Sequence, residues 1–123
     1  MARLLIVDDN ETILSILSDF LGVGYKIDTA MDLTGALRAL GSNPPDLILL
    51  DVNSTGADSL KLLSRMRAHG ITIPVFVTTK DKSPKLATQA KEAGATKYLV
   101  KPVDLRELDR LLAEALNVAP MLG

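Results

Sequence analysis

The stretch Leu4-Leu5-Ile6-Val7-Asp8-Asp9-Asn10 decides how the rest of the chain is read. Four apolar residues follow one another without a polar break and run straight into two acids. The stretch Pro45-Asp46-Leu47-Ile48-Leu49-Leu50-Asp51 repeats the pattern, again ending on an acid. A strand with one face in water alternates apolar and polar residues. An unbroken apolar run of this length suits a strand buried on both faces, as in a parallel sheet covered by helices.

Five such segments are spaced along the chain: Leu4–Val7, Tyr25–Thr29, Leu47–Asp51, Val75–Thr78 and Lys97–Val100. Between them the apolar residues return at helical spacing. Ile13, Leu14, Leu17 and Leu21 form one stripe; Leu33, Ala36, Leu37 and Leu40 form the next. Leu60, Leu63, Met66 and Arg67 begin a third, with Asp58 as its cap and Gly70 as its stop. Pro84 opens a fourth helix, with Leu86, Ala90 and Ala93 inward and Gly94 ending it. Leu105, Leu108, Leu112 and Leu116 make the last stripe, leaving Leu111 and Val118 off it and partly exposed. Asn43-Pro44-Pro45 reads as a turn. Five βα units in succession predict an α/β fold: a doubly wound, five-stranded parallel sheet with five helices.

The length of 123 residues fits one domain, and 47% hydrophobic with 24% charged residues excludes a disordered chain. With no cysteine, disulfides, thiolate metal sites and cysteine nucleophiles are all excluded, and one histidine, His69, makes no His-rich metal site. His69 reads as a solvated group near the end of the third helix. Four aromatic residues are too few for a stacking platform on single-stranded nucleic acid. No run approaches membrane-spanning length and no secretory signal opens the chain, so a cytoplasmic protein is expected. The net charge of −1 is unevenly spread: residues 1–60 hold nine acids and three bases, residues 61–123 eleven bases and six acids.

Doubly wound sheets bind ligands beyond the carboxyl ends of their strands. There the sequence puts Asp8-Asp9, Asp51, Thr78-Thr79 and Lys101-Pro102. Three acids on one rim repel one another unless a cation sits among them, and oxygen-only ligands suit Mg²⁺ or Mn²⁺. A lysine opposite them would pair with a carboxylate or a phosphoryl oxygen. These groups together predict phosphoryl transfer to an aspartate. Taken singly, Asp8, Asp9 or Asn10 reads as a helix cap, Asp51 as a turn acid, Thr79 as a turn hydroxyl and Tyr98 as core. Those readings do not explain why so many of the groups gather at strand carboxyl ends.

In order and spacing the chain resembles the receiver domain of bacterial two-component response regulators, of the chemotaxis-regulator type. The resemblance rests on the two quoted stretches, on Ile73-Pro74-Val75, on Glu92-Ala93-Gly94-Ala95 and on Tyr98-Leu99-Val100-Lys101-Pro102. It implies a single receiver domain over 1–123, with 119–123 as a tail or the start of a linker. It implies Asp51 as phosphoacceptor, with Mg²⁺ held by Asp9, by Asp8 directly or through water, by Asp51 and by the Asn53 carbonyl. Lys101 would contact the phosphoryl group, and Tyr98 would be the aromatic switch. Thr79, chosen over Thr78 on family spacing and on alternation along the strand, would be the switch hydroxyl. The family also uses a cis bond before the proline at Lys101-Pro102. The implied partners are a histidine kinase or a histidine phosphotransfer protein, and downstream a target protein or a second copy meeting the fourth helix, fifth strand and fifth helix. Neither nucleic acid nor membrane is an expected direct partner. The chain would be a phosphoacceptor rather than an enzyme, promoting its own phosphorylation and dephosphorylation.

The chain departs from the family at Ser54, Thr55 and Ser59, where a Met-Pro pair and later a glycine are usual, and at Lys80, where a small residue is. Those departures keep a second reading in view, a pseudo-receiver adaptor that binds proteins without phosphorylation. A Mg²⁺-dependent phosphohydrolase of the haloacid dehalogenase type is a third. It needs an acid two residues after the nucleophile on the first strand, where Asn10 follows Asp8 and Glu11 follows Asp9.

Overall fold

In the computed structural model, which describes residues 1–52 and 58–123, strands and helices alternate from one end to the other. The order is β1 (Arg3–Val7), α1 (Glu11–Leu21), β2 (Lys26–Ala30), α2 (Leu33–Ser42), β3 (Leu47–Asp51), α3 (Val52–Ala68), β4 (Val75–Thr79), α4 (Pro84–Ala93), β5 (Lys97–Val100) and α5 (Leu105–Leu116). The strands form one parallel sheet in the order β2-β1-β3-β4-β5.

The sheet explains why the apolar runs are unbroken. Side chains alternate between the two faces of a strand, and here both faces are covered. Leu5, Val7, Ile48, Leu50, Val75 and Val77 pack with Ala36 of α2, Leu63 and Met66 of α3, and Ala90 and Ala93 of α4. Their neighbours Leu4, Ile6, Leu47, Leu49 and Phe76 pack on the opposite face with Leu14 and Leu21 of α1 and with Leu108, Leu111 and Leu112 of α5. Each fully buried leucine or phenylalanine contributes about 1.5–3 kcal/mol relative to exposure. A polar residue anywhere along Leu4–Val7 or Leu47–Leu50 would therefore face a core.

Local chemistry sets the helix ends. Asn10, Asp32, Ser83 and Asp104 each accept a hydrogen bond from the amide three residues on, a cap worth about 1 kcal/mol. Gly94 ends α4 at φ +108°, where an L side chain is strained, and a Cβ there would also meet the Arg67 side chain at 2.6 Å. Arg67 accounts for that close approach. Its guanidinium donates to the carbonyls of Gly94, Ile71 and Ile73 at 3.1, 2.9 and 2.8 Å, and its burial lowers its pKa from the usual arginine value. It ties the end of α3 to the end of α4 and the approach to β4.

Several sequence expectations shift. β2 begins one residue later than expected, because Tyr25 turns into the core at 4% exposure. β4 runs one residue further, so Thr79 belongs to the strand. α3 begins at Val52, which leaves Asp58 exposed within the helix instead of capping it. Leu37 points outward at 53% exposure. Leu111 is buried, because the apolar face of α5 is wide enough to take in a residue next to Leu108 and Leu112. Ser59 is fully buried, and its hydroxyl has no hydrogen-bond partner among the described residues. His69 is exposed just past α3, with Nδ1 2.8 Å from the Arg65 carbonyl.

Candidate functional site

Strands β1 and β3 are neighbours in register, Val7 beside Leu50. The next residue of each is an acid, so Asp8 and Asp51 emerge side by side where the chain order reverses across the sheet. Both are almost fully buried, at 3% and 2% exposure, while Asp9 is exposed. One carboxylate oxygen from each of the three lies within 4.8 Å of the others. Lys101 enters from the end of β5. Its Nζ donates to Asp8 Oδ2 at 2.6 Å and lies 3.5 Å from Asp51 Oδ1. The Lys101 amide donates to the Thr79 carbonyl at 2.7 Å, fixing where the side chain starts. The peptide bond to Pro102 is cis. Asp8 Oδ1 accepts from the Asn10 amide at 3.0 Å.

Of the three adjacent polar residues, Asn10 is the helix cap that the simplest reading gives it, with Oδ1 3.1 Å from the Ile13 amide. Asp8 and Asp9 belong to the cluster instead. Thr79 is completely buried and its Oγ1 accepts from the Asp81 amide at 3.0 Å. Asp81 in turn offers its carbonyl to the Tyr98 hydroxyl at 2.5 Å. A short chain of bonds thus joins Thr79 to Tyr98 through one residue of the β4–α4 loop. Tyr98 is half-buried, and burial, with the Asp81 charge second, raises its pKa above the usual tyrosine value. Asp81 has no signal in the sequence, since its role lies in its backbone. Asn53, Ser54 and Thr55 lie outside the described residues.

The Lys101 ammonium reaches Asp8 and Asp51 of a cluster of three carboxylates, and two of the acids are buried. That excess of negative charge, presented only through oxygen, is what a hard divalent cation neutralises. The residues present therefore fit Mg²⁺ or Mn²⁺.

The comparisons with known proteins agree with this geometry. The family model described as the response regulator receiver domain matches residues 4–113. The chain belongs to the response regulator receiver domain family. Among its relatives, the transcriptional regulatory protein PrrA of Mycobacterium tuberculosis is 38% identical over 107 residues, 86% of this chain and 46% of PrrA. The sensor histidine kinase RcsC of Salmonella typhi is 37% identical over 111 residues, 89% of this chain and 12% of RcsC. The chain thus spans less than half the length of either relative. Among solved structures, a two-component response regulator from Clostridium difficile superposes with a TM-score of 0.88 at 27% identity, covering 95% of this chain and 97% of that one. As a receiver domain the chain has the fold that its sequence predicts, and no helix among the described residues is long and apolar enough to cross a membrane.

Proposed function

We propose that this receiver domain accepts a phosphoryl group on Asp51 from a phosphohistidine of a histidine kinase or a histidine phosphotransfer protein. The observation that carries this reading is the placement of Asp51: a buried carboxylate at the end of a central strand, 3.5 Å from the Lys101 ammonium and beside two further acids. An Asp51 oxygen attacks phosphorus, and the phosphorus–nitrogen bond breaks as the imidazole leaves with its electron pair. Asp8, Asp9 and Asp51, with the Asn53 carbonyl, would hold the Mg²⁺ ion, which when bound offsets charge on the transferring group. Lys101 is shared between Asp8 and Asp51 and supplies a donor to phosphoryl oxygen.

The new group adds about −1.5 to −2 of charge. A phosphoryl oxygen accepts the proton of the Thr79 hydroxyl, whose oxygen accepts from the Asp81 amide, and the Asp81 carbonyl passes that change to Tyr98. Downstream contacts, with a target protein or a second copy, fall on α4, β5 and α5, where Lys91, Lys97 and Arg110 are exposed. Leu111 is not part of that surface because it is buried. A cytoplasmic location goes with such partners. Intact mass after incubation with acetyl phosphate and Mg²⁺ tests the central claim: wild type gains one phosphoryl group and Asp51→Asn gains none. Equal gain by Asp51→Asn overturns Asp51 as the acceptor, and no gain by wild type favours the pseudo-receiver reading.

A further inference from the structure

We propose that Met121 is a modification site, at which oxidation to the sulfoxide by hydrogen peroxide releases the segment after α5 from the core. The helix ends at Asn117, in the left-handed conformation, and the chain returns so that Met121 packs against the apolar layer shared by α1 and α5. The anchor of the returning segment is Asp109 of α5, only 1% exposed. Its two carboxylate oxygens accept from the Met121 and Leu122 amides at 2.8 Å each. No ion pair holds this carboxylate among the described residues, so the two amides are the donors that offset its buried charge. The Met121 sulfur fills space that only a glycine leaves: a Cβ on Gly24 would stand 2.6 Å from Sδ and 2.8 Å from Cγ. Gly24 lies just before β2, at the amino ends of the strands, and Asp51 lies at their carboxyl ends.

The four methionines differ in what an added oxygen would meet. Met1 and Met31 are exposed, so there it meets water. Met66 is buried in the opposite apolar layer. Met121 alone combines partial exposure with a seat on the core. A sulfur lone pair attacks one peroxide oxygen and the oxygen–oxygen bond breaks. The departing hydroxide takes the proton of the transferred oxygen and leaves as water, so sulfur loses two electrons and the peroxide gains two. A flexible apolar group has become a polar, chiral one with a strong acceptor. Pressed between an apolar layer and the Gly24 backbone, that acceptor gives up its bonds to water, which is costly. The clamp resists less than its two bonds suggest. Lifting the segment admits water to the carboxylate that the segment covers, and exchanging amides for water costs little net free energy.

Amide hydrogen exchange of the full chain, followed by NMR before and after treatment with hydrogen peroxide, tests this apart from any phosphorylation chemistry. The methionine ε-methyl resonances report which sulfurs have been oxidised. Once Met121 is oxidised, the Met121 and Leu122 amides should exchange about tenfold faster or more, the factor for loss of a hydrogen bond to a charged group. Met121→Leu should keep both amides slow and lose the response to peroxide, although Met1 and Met31 are still oxidised. Gly24→Ala should release the segment with no oxidant, because its methyl group takes the place of the sulfur. Met121→Gln, a polar group on the same stem, serves as the second variant should Gly24→Ala not fold. Amides that stay slow with Met121 oxidised would overturn the release. They would show that the seat accommodates the sulfoxide, with the Tyr25 hydroxyl, buried and without a partner among the described residues, as its donor. An equal response to peroxide in Met121→Leu would assign the effect to another methionine and overturn the site.

Discussion

Thr78 and Thr79 are consecutive, chemically identical and set to different tasks by the period of the strand. Alternation alone shows that only one of them can face the acceptor cluster, and that much is legible in the sequence. The structure buries Thr79 completely, with its hydroxyl bonded to the Asp81 amide. It turns Thr78 to a cleft beside α1 and α5. Thr79→Val should thus weaken the link between phosphorylation and the Tyr98 environment, read as loss of the beryllofluoride-induced shift of the Tyr98 ring protons. Thr78→Val should leave that shift intact. A shift preserved in Thr79→Val would mean that the route through Asp81 does not carry the signal. The acids and the lysine were also legible, since charge stands out against apolar runs. The Asp81 link was not, because backbone amides and carbonyls are the same at every position and only folding chooses which ones meet a side chain.

At the scale of an element, α5 shows how sequence arithmetic goes astray at the margin of a helix face. At about 100° per residue, Leu111 lies well off the line through Leu105, Leu108 and Leu112, and exposure is the natural expectation. The face that packs on the sheet is broad, however, and Leu111 sits in it at 8% exposure. Leu111→Ala should accordingly cost about 2–4 kcal/mol in urea unfolding, whereas an exposed leucine would cost under 1 kcal/mol. The inward side of α5 also carries a buried acid, Asp109, whose two oxygens accept from the Met121 and Leu122 amides at 2.8 Å each. Met121 is thereby drawn onto the core beside Gly24. Nearby Tyr25 has a buried hydroxyl without a partner among the described residues, and burial, then the Asp109 charge, raises its pKa above 10. Unfolded Tyr25 loses its proton near pH 10 while the folded residue still holds it. The unfolded state then binds fewer protons, and stability falls as pH rises through that window. Tyr25→Phe should flatten the fall in unfolding free energy above pH 10. An unchanged slope would assign the loss to other groups, Tyr98 first among them.

Across the whole molecule, two apolar layers hold a sheet whose polar rim works against them. The strand order β2-β1-β3-β4-β5 brings the ends of β1 and β3 together, so two buried acids and a third exposed one share a space with Lys101. The sequence already separates these roles: continuous apolar runs build the layers and the residue that ends each run supplies the site. It does not show how Lys101 is divided between the acids, and the structure gives the shorter contact to Asp8, 2.6 Å against 3.5 Å to Asp51. Repulsion left over at the rim is a cost to the fold when no metal is bound, since like charges disfavour one another's ionised form. Asp9→Asn should therefore raise the melting temperature in chelator at neutral pH. In wild type the melting temperature should climb with Mg²⁺ concentration, because an ion that binds only the folded state stabilises it by mass action. The same substitution should weaken that climb, so that the two curves approach and cross as Mg²⁺ increases. Parallel curves would show that Asp9 takes no part in holding the metal. A lower melting temperature of Asp9→Asn in chelator would show that the exposed carboxylate supports the fold more than it strains the rim.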